Sequence, residues 1–276
     1  MLDYIIDDNE VCNTFLLKLW KKKLFFIKNN YFIKNYYSLS NHFNLHKFFF
    51  KQAMNQYNHG KYLISNPVPF ITKDFAKEKV ELIQDKIGLN LKRKWICVHN
   101  RDNNFYNTFY KDKKNKKDIE NFNKIHEYRN FKLQEIKGAI DLFINEGYQV
   151  VNMSFNNTEN LKIDNKNYIN YSQSSHKSDF VNFFLLSHCE LFFGSDSGAN
   201  SIPLLFQKKS AVVNIAEIIT QHTVRYWYPM LMLPKKIRDK TTNEIISLWD
   251  YQKHKLVRTP PFYNYPIDNF KIENNY

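Results

Sequence analysis

The sequence predicts an α/β fold: a parallel sheet clothed by helices, preceded by a short, mainly helical N-terminal region. Three observations carry this expectation. From residue 91 onward, short apolar runs alternate with stretches whose apolar residues recur at helical spacing, the pattern of strands joined by crossover helices. Polar turns of small residues, Gly194-Ser195-Asp196-Ser197-Gly198 above all, stand where strands would end. Residues 1–90 read differently, dense in lysine and aromatics, so the chain divides into 1–90 and 91–276.

Taken in order, Phe15, Leu16, Leu19 and Trp20 share one helical face, and similar spacing returns near Phe48–Phe50. Lys21-Lys22-Lys23 interrupts the first stretch. Basic, aromatic helices of this kind either lie on an anionic membrane or pack on the next domain. Gly60 and Asn66-Pro67-Val68-Pro69 read as a linker, and Thr72 is placed to cap a helix that runs through Ile87 and stops at Gly88. Trp95–His99 reads as a strand, Phe131–Asn145 as a helix with Asn130 at its N-cap, and Gln149–Met153 as a strand. A further strand is expected at Tyr168–Tyr171, then a helix Asp179–Ser187 capped by Ser178. Strand Leu191–Phe193, helix Ala199–Phe206 and strand Ala211–Ile215 complete the series. After residue 216 the pattern turns irregular, with Tyr226-Trp227-Tyr228-Pro229 and Thr259-Pro260-Pro261 implying aromatic packing. The whole reads as a Rossmann-like sheet, in which ligands sit beyond the carboxyl ends of the strands.

With 276 residues, 43% of them apolar and 17% aromatic, the chain holds enough material for a real core. Lys+Arg number 40 against 27 Asp+Glu, a formal charge of +13. That excess points either to an anionic partner or to the general Lys/Asn/Ile bias of the chain. Cys12, Cys97 and Cys189 are far apart and odd in number, which gives no disulfide framework or zinc motif. The acidic start Met1–Asp8 is unlike a signal peptide, and no run of about 18 apolar residues is present. The expected location is the cytoplasm, with peripheral contact at the inner face of an anionic membrane.

Two polar clusters carry candidate chemistry. The first is Gly194–Gly198, whose hydroxyls and backbone N–H groups at a helix start either bind phosphate or simply cap the helix. The second is His99-Asn100-Arg101-Asp102 at a strand end, where His99 and Arg101, two apart, point the same way. Arg101 can hold a phosphate through paired charge-assisted bonds, or form an ion pair with Asp102 or a neighbour. A long polar loop with Lys111–Lys117 follows, either a solvated charge run or a basic lid. It ends in His126-Glu127-Tyr128-Arg129-Asn130, where Asn130 stands in place of the second His of a zinc H-E-x-x-H motif. P-loop, G-x-S-x-G and G-x-G-x-x-G signatures are absent, and so is any Asp-x-Asp pair.

His99-x-Arg101-Asp102, then Arg129-Asn130 before a helix, then Glu146-Gly147-Tyr148, resembles in order the motifs of a group of bacterial glycosyltransferase sequences with H-x-R-D and G-[ST]-x-S-G. The resemblance continues through Tyr171-Ser172, Lys177-Ser178-Asp179, Gly194–Gly198 and Pro203–Phe206, covering roughly residues 94–215. This part is also similar to the nucleotide-binding domain of GT-B glycosyltransferases. Its turn resembles the Asp-Ser-Gly turn of heptosyltransferases, and its H-x-R that of O-fucosyltransferase-like enzymes.

The resemblance implies a GT-B-type donor domain and a metal-independent sugar transfer from a nucleotide-diphosphate donor to a polysaccharide or lipid-linked glycan. No cofactor is implied, since the nucleotide sugar is itself the substrate. Arg101, with His99 and Asp102, would serve catalysis. Arg129, Asn130, Gly194, Ser195, Asp196, Ser197 and Gly198 would bind the donor. GT-B enzymes carry a full acceptor domain ahead of the donor domain, whereas about 90 residues precede Trp95 here, so a reduced acceptor region is expected. A basic nucleic-acid-binding protein and a catalytically degenerate relative are the alternatives. The placing of the clusters at strand ends favours a compact ligand over a specific nucleic acid.

Overall fold

Side chains alternate across a strand, and Trp95–His99 (β3) uses both faces: Trp95 and Cys97 enter one apolar layer, Ile96 and Val98 the other. The computed structural model describes residues 4–6, 13–22, 25–27, 77–155, 161–215, 230–250, 253 and 269–275. Ahead of β3 stand β1 (Tyr4–Ile6), α1 (Thr14–Lys21), β2 (Phe25–Ile27) and α2 (Lys77–Ile87). After it come α3 (Asn104–Phe109), α4 (Lys116–His126), α5 (Lys137–Asn145), β4 (Gln149–Asn152) and β5 (Tyr168–Ile169). Next are α6 (Asp179–His188), β6 (Leu191–Gly194), α7 (Ser201–Leu205), β7 (Lys209–Ile215) and β8 (Met230–Pro234). A last pair, β9 (Lys236–Asp239) and β10 (Phe270–Glu273), is antiparallel.

β3 to β8 form one six-stranded sheet in the order β5-β4-β3-β6-β7-β8, every pair parallel. Counted from β3, this is the order 3-2-1-4-5-6 of a Rossmann-like sheet. One layer packs Leu19 of α1, Ile83 of α2, and Val181, Phe183 and Leu185 of α6 against Trp95, Cys97, Val151 and Phe192. The other packs Ile140 and Ile144 of α5, with Phe131 and Leu133, against Ile96, Val98, Val150 and Val213. Val98, Val150, Val151 and Val212 are wholly buried, as strands covered on both sides must be. Cys97 and Cys189 are buried thiols within the first layer.

The N-terminal region joins the sheet domain through α1. Asn13 caps α1 by accepting from Leu16 N at 2.8 Å, and its Nδ2 donates to Asp179 O at 3.0 Å. Thr14 donates to the Asp179 carboxylate from N at 2.7 Å and from Oγ1 at 2.5 Å, and Phe15 packs edge-on against Phe180 at 5.0 Å. The short parallel pair β1–β2 adds strand to a region expected to be mainly helical. Phe48–Phe50, Gly60, Asn66–Pro69 and Thr72 lie outside the described residues.

Four expectations need correction. The long loop after β3 is instead α3 and α4, because rings at helical spacing close a small apolar seam. Tyr106 stacks on Phe122 at 3.6 Å, Phe122 meets His126 at 4.2 Å, and Lys113 lies 3.9 Å over Phe109. The Lys111–Lys117 run is therefore a turn plus the first residues of α4, which Asn115 caps by accepting from Asp118 N at 2.9 Å. Asn130 does not cap a helix; its side-chain oxygen is taken by Arg101, and α5 is entered through a 3-10 turn, Leu133–Ile136. Ala199–Phe206 splits into a 3-10 turn, Gly198–Asn200, and the short α7. Past residue 216, β8 supplies a sixth parallel strand; it lacks alternation because it is an edge, with Leu231, Met232 and Leu233 exposed. Tyr226–Pro229 and Thr259–Pro261 are outside the described residues.

Candidate active site at the fork between two strands

β3 and β6 are neighbours, with His99 in register with Gly194. The chain leaving β3 goes to α5 on one face, while the chain leaving β6 goes to α7, whose Ile202 packs on the other. Connections that part in this way open a crevice at the carboxyl ends, the ligand position of open parallel sheets. Both predicted clusters line it.

Gly194 is required by crowding. A Cβ there would stand 2.0 Å from the carbonyl oxygen of His99. That oxygen accepts from Ser195 N at 3.0 Å, which brings the two turns into contact. His99 Nδ1 then lies 3.1 Å from Ser195 Oγ and 3.4 Å from Ser197 Oγ. Burial, followed by the positive charge of Arg101, lowers the His99 pKa to about 4. The imidazole is neutral at physiological pH and offers one donor and one acceptor. Ser197 makes no capping bond to the turn it precedes, so its hydroxyl is directed to the histidine.

Arg101 Nη1 donates to the side-chain oxygen of Asn130 and, at 3.3 Å, to His126 O. Asn130 Nδ2 donates in turn to Asn103 Oδ1 at 2.9 Å. Arg129 reaches across to the serine turn, donating to Asp196 O at 2.8 Å and pairing with its carboxylate at 3.8 Å. Asp102 turns away from this cluster, accepting from Asn104 N at 2.8 Å and Asn104 Nδ2 at 3.1 Å to start α3. Burial raises its pKa despite those bonds and Arg101. Gly198 opens the 3-10 turn, and Asn200 at its end is fully buried, with neither side-chain polar atom hydrogen-bonded among the described residues.

Family models, curated proteins and solved structures give no match to the chain. The site therefore rests on its own geometry.

Three residues were given no role by the sequence, Asn100 among them although it stands in the His99–Asp102 cluster. Asn100 and Ser154, both buried, brace the base of the crevice: Ser154 Oγ donates to Asn100 Oδ1 at 2.5 Å, and Asn100 Nδ2 donates to Phe131 O at 2.8 Å. The third is Lys235, directly after β8, which is 5% exposed and donates from Nζ to Asn130 O at 2.9 Å. Burial lowers its pKa to about 8, against a small opposing pull from Glu135. The signal for it was the Leu-Pro-Lys-Lys step at a strand end, legible only once Met230–Pro234 is seen as a strand. Among the described residues no helix is long and apolar enough to cross a membrane.

Proposed function

We propose that the protein is a GT-B-type glycosyltransferase, moving a sugar from a nucleotide-diphosphate donor to a polysaccharide or lipid-linked glycan without a metal. The observation that carries this reading is the meeting of His99 with Ser195 and Ser197 at the strand fork, with Arg101 two residues away. Hydroxyls and a neutral imidazole suit the ribose and phosphate oxygens of a donor, and Arg101 and Arg129 suit the diphosphate. As the glycosidic bond breaks, negative charge grows on the leaving diphosphate; cations already held in place lower that barrier.

The roles divide as follows. Arg101 faces the diphosphate, steadied by Asn130. Arg129 and Asp196 hold the serine turn in the shape that presents Ser195, Ser197 and Gly198. Asp102 shapes the exit of β3 and leaves proton transfer from the acceptor hydroxyl to another group. Basic residues of the N-terminal region offer contact with an anionic membrane that carries a lipid-linked acceptor.

The test is a metal-free thermal-shift screen against nucleoside diphosphates and nucleotide sugars, repeated with Arg101→Ala. A ligand near 100 times its Kd adds about 2.7 kcal/mol of stability. Stabilisation by one nucleotide, lost in the variant, supports the donor site. Absence of any shift, together with salt-sensitive binding of RNA or DNA, would overturn it.

A further inference from the structure

We infer that Lys235 is a third cation of the anion site, placed to grip the diphosphate beside Arg101. The inference rests on the donor-site reading above and extends it from the central fork to the β8 edge of the sheet.

Asn130 is bonded by both Arg101 and Lys235. Its two oxygens are held from two directions: the side-chain oxygen by Arg101 at the end of β3, the backbone oxygen by Lys235 Nζ at the end of β8. Its neighbour Arg129 touches Asp196 beyond β6. Residues 126–130 thus run across the carboxyl ends of the sheet, and three cations from different parts of the chain gather along them.

A purely structural account of Lys235 is poor. Lys235 as a residue is 5% exposed, and an ammonium is costly to bury unless it is paired and fully hydrogen-bonded. Among the described residues it donates one hydrogen bond, to a neutral carbonyl, although an ammonium has three N–H donors. Glu135 acts on it only at a distance, since no carboxylate among the described residues lies within ion-pair reach, and the Glu135 carboxylate accepts from Asn274 Nδ2 at 2.6 Å. An apolar residue of equal length would serve packing better. What an under-bonded ammonium that shares Asn130 with the Arg101 guanidinium suits is an oligo-anion.

The backbone that carries the amine is also held in place before any ligand arrives. Lys235 N donates to Ile215 O at 2.8 Å, and the carbonyl of Pro234 accepts from Asn275 just after β10. A donor fixed at both flanks loses little freedom on binding, and β9–β10 acquires a purpose as its support.

Inorganic pyrophosphate is the probe, because it carries the anion without base or sugar. Calorimetric titration at pH 7 without metal compares the whole protein with Lys235→Met, Lys235→Arg and Arg101→Ala. The inference expects at least a tenfold loss of affinity in K235M, recovery to within a few-fold of wild type in K235R, and an unliganded melting temperature in K235M no lower than wild type. Equal binding by wild type and K235M, with loss in R101A, overturns the role of Lys235 and leaves the donor site standing. Weaker binding in K235M that accompanies a lower melting temperature also overturns it, as that marks a structural residue. If wild type binds neither pyrophosphate nor any nucleoside diphosphate, both readings fall together.

Discussion

His99 and Ser195 grip each other twice, once through backbone (Ser195 N to His99 O, 3.0 Å) and once through side chains (Nδ1 to Oγ, 3.1 Å). The double contact locks the ends of two strands that are far apart in sequence. It also makes the fork a single rigid object, so a disturbance of the backbone there reaches both polar clusters.

Gly194→Ala is the sharpest such disturbance. Its methyl group would overlap the His99 carbonyl, which is backbone and cannot swing aside. Urea unfolding is expected to show a loss of about 2–3 kcal/mol, together with lost nucleotide binding. An alanine variant as stable as wild type would contradict the crowding.

The neutral state of His99 sets an acid limit on stability. An unfolded histidine takes up its proton near pH 6.5, whereas folded His99 resists until about 4. Between those values the unfolded chain binds more protons, so stability falls as pH drops from 6.5 toward 4 and is flat above 6.5 on this account. His99 as a residue is only half-buried, so the loss is about 2 kcal/mol, less than the full shift implies. Urea titrations at pH 7 and 4.5 should differ by less in His99→Asn, and the wild-type imidazole should titrate near 4 by NMR.

Lys235 works in the opposite pH range. Its folded pKa of about 8 lies below that of an unfolded lysine, near 10.5, so the folded state carries a charged-amine penalty below pH 8 that fades as pH rises to 10.5. Lys235→Met should exceed wild-type stability by about 2 kcal/mol at pH 7, with the difference shrinking by pH 10. Denaturation at the two pH values measures it; a constant difference would show that the amine is not desolvated.

The N-terminal helix depends on one carboxylate. Asp179→Ala removes both acceptor contacts to Thr14 and leaves α1 held by Phe15 against Phe180 and Phe183, by buried Leu19 and by the Asn13 bond to Asp179 O. The expected cost is about 1 kcal/mol, with faster amide exchange confined to residues 13–22. Unchanged exchange in that segment would mean that these remaining contacts suffice.

The sheet was legible because its strands are short apolar runs bounded by polar turns: Trp95–His99, Gln149–Asn152 and Leu191–Gly194 stand where the pattern puts them. Ser178 caps its helix as its position implies, its Oγ accepting from Val181 N at 3.2 Å. β8 was not legible, since an edge strand with Leu231 and Leu233 exposed shows no burial pattern. α4 was hidden by its lysines and α3 by being only six residues long, although Tyr106–Tyr110 and Phe122–His126 have the i,i+4 spacing of a helix face. At the site, local sequence revealed the two turns but not their partners. That Asn130 would bridge Arg101 to Lys235 depends on a contact between residues 105 positions apart, which no motif contains.

The crevice carries a built-in charge schedule. Its histidine stays uncharged until conditions are strongly acidic, and its lysine surrenders a proton only when they turn alkaline. Between roughly pH 5 and 7 neither group changes state, so a bound anion would meet the same set of positive charges across that interval. Mild acidification of the surroundings would leave the charges of His99 and Lys235 unaltered, whereas a shift past neutrality toward base would remove the positive charge at the end of β8.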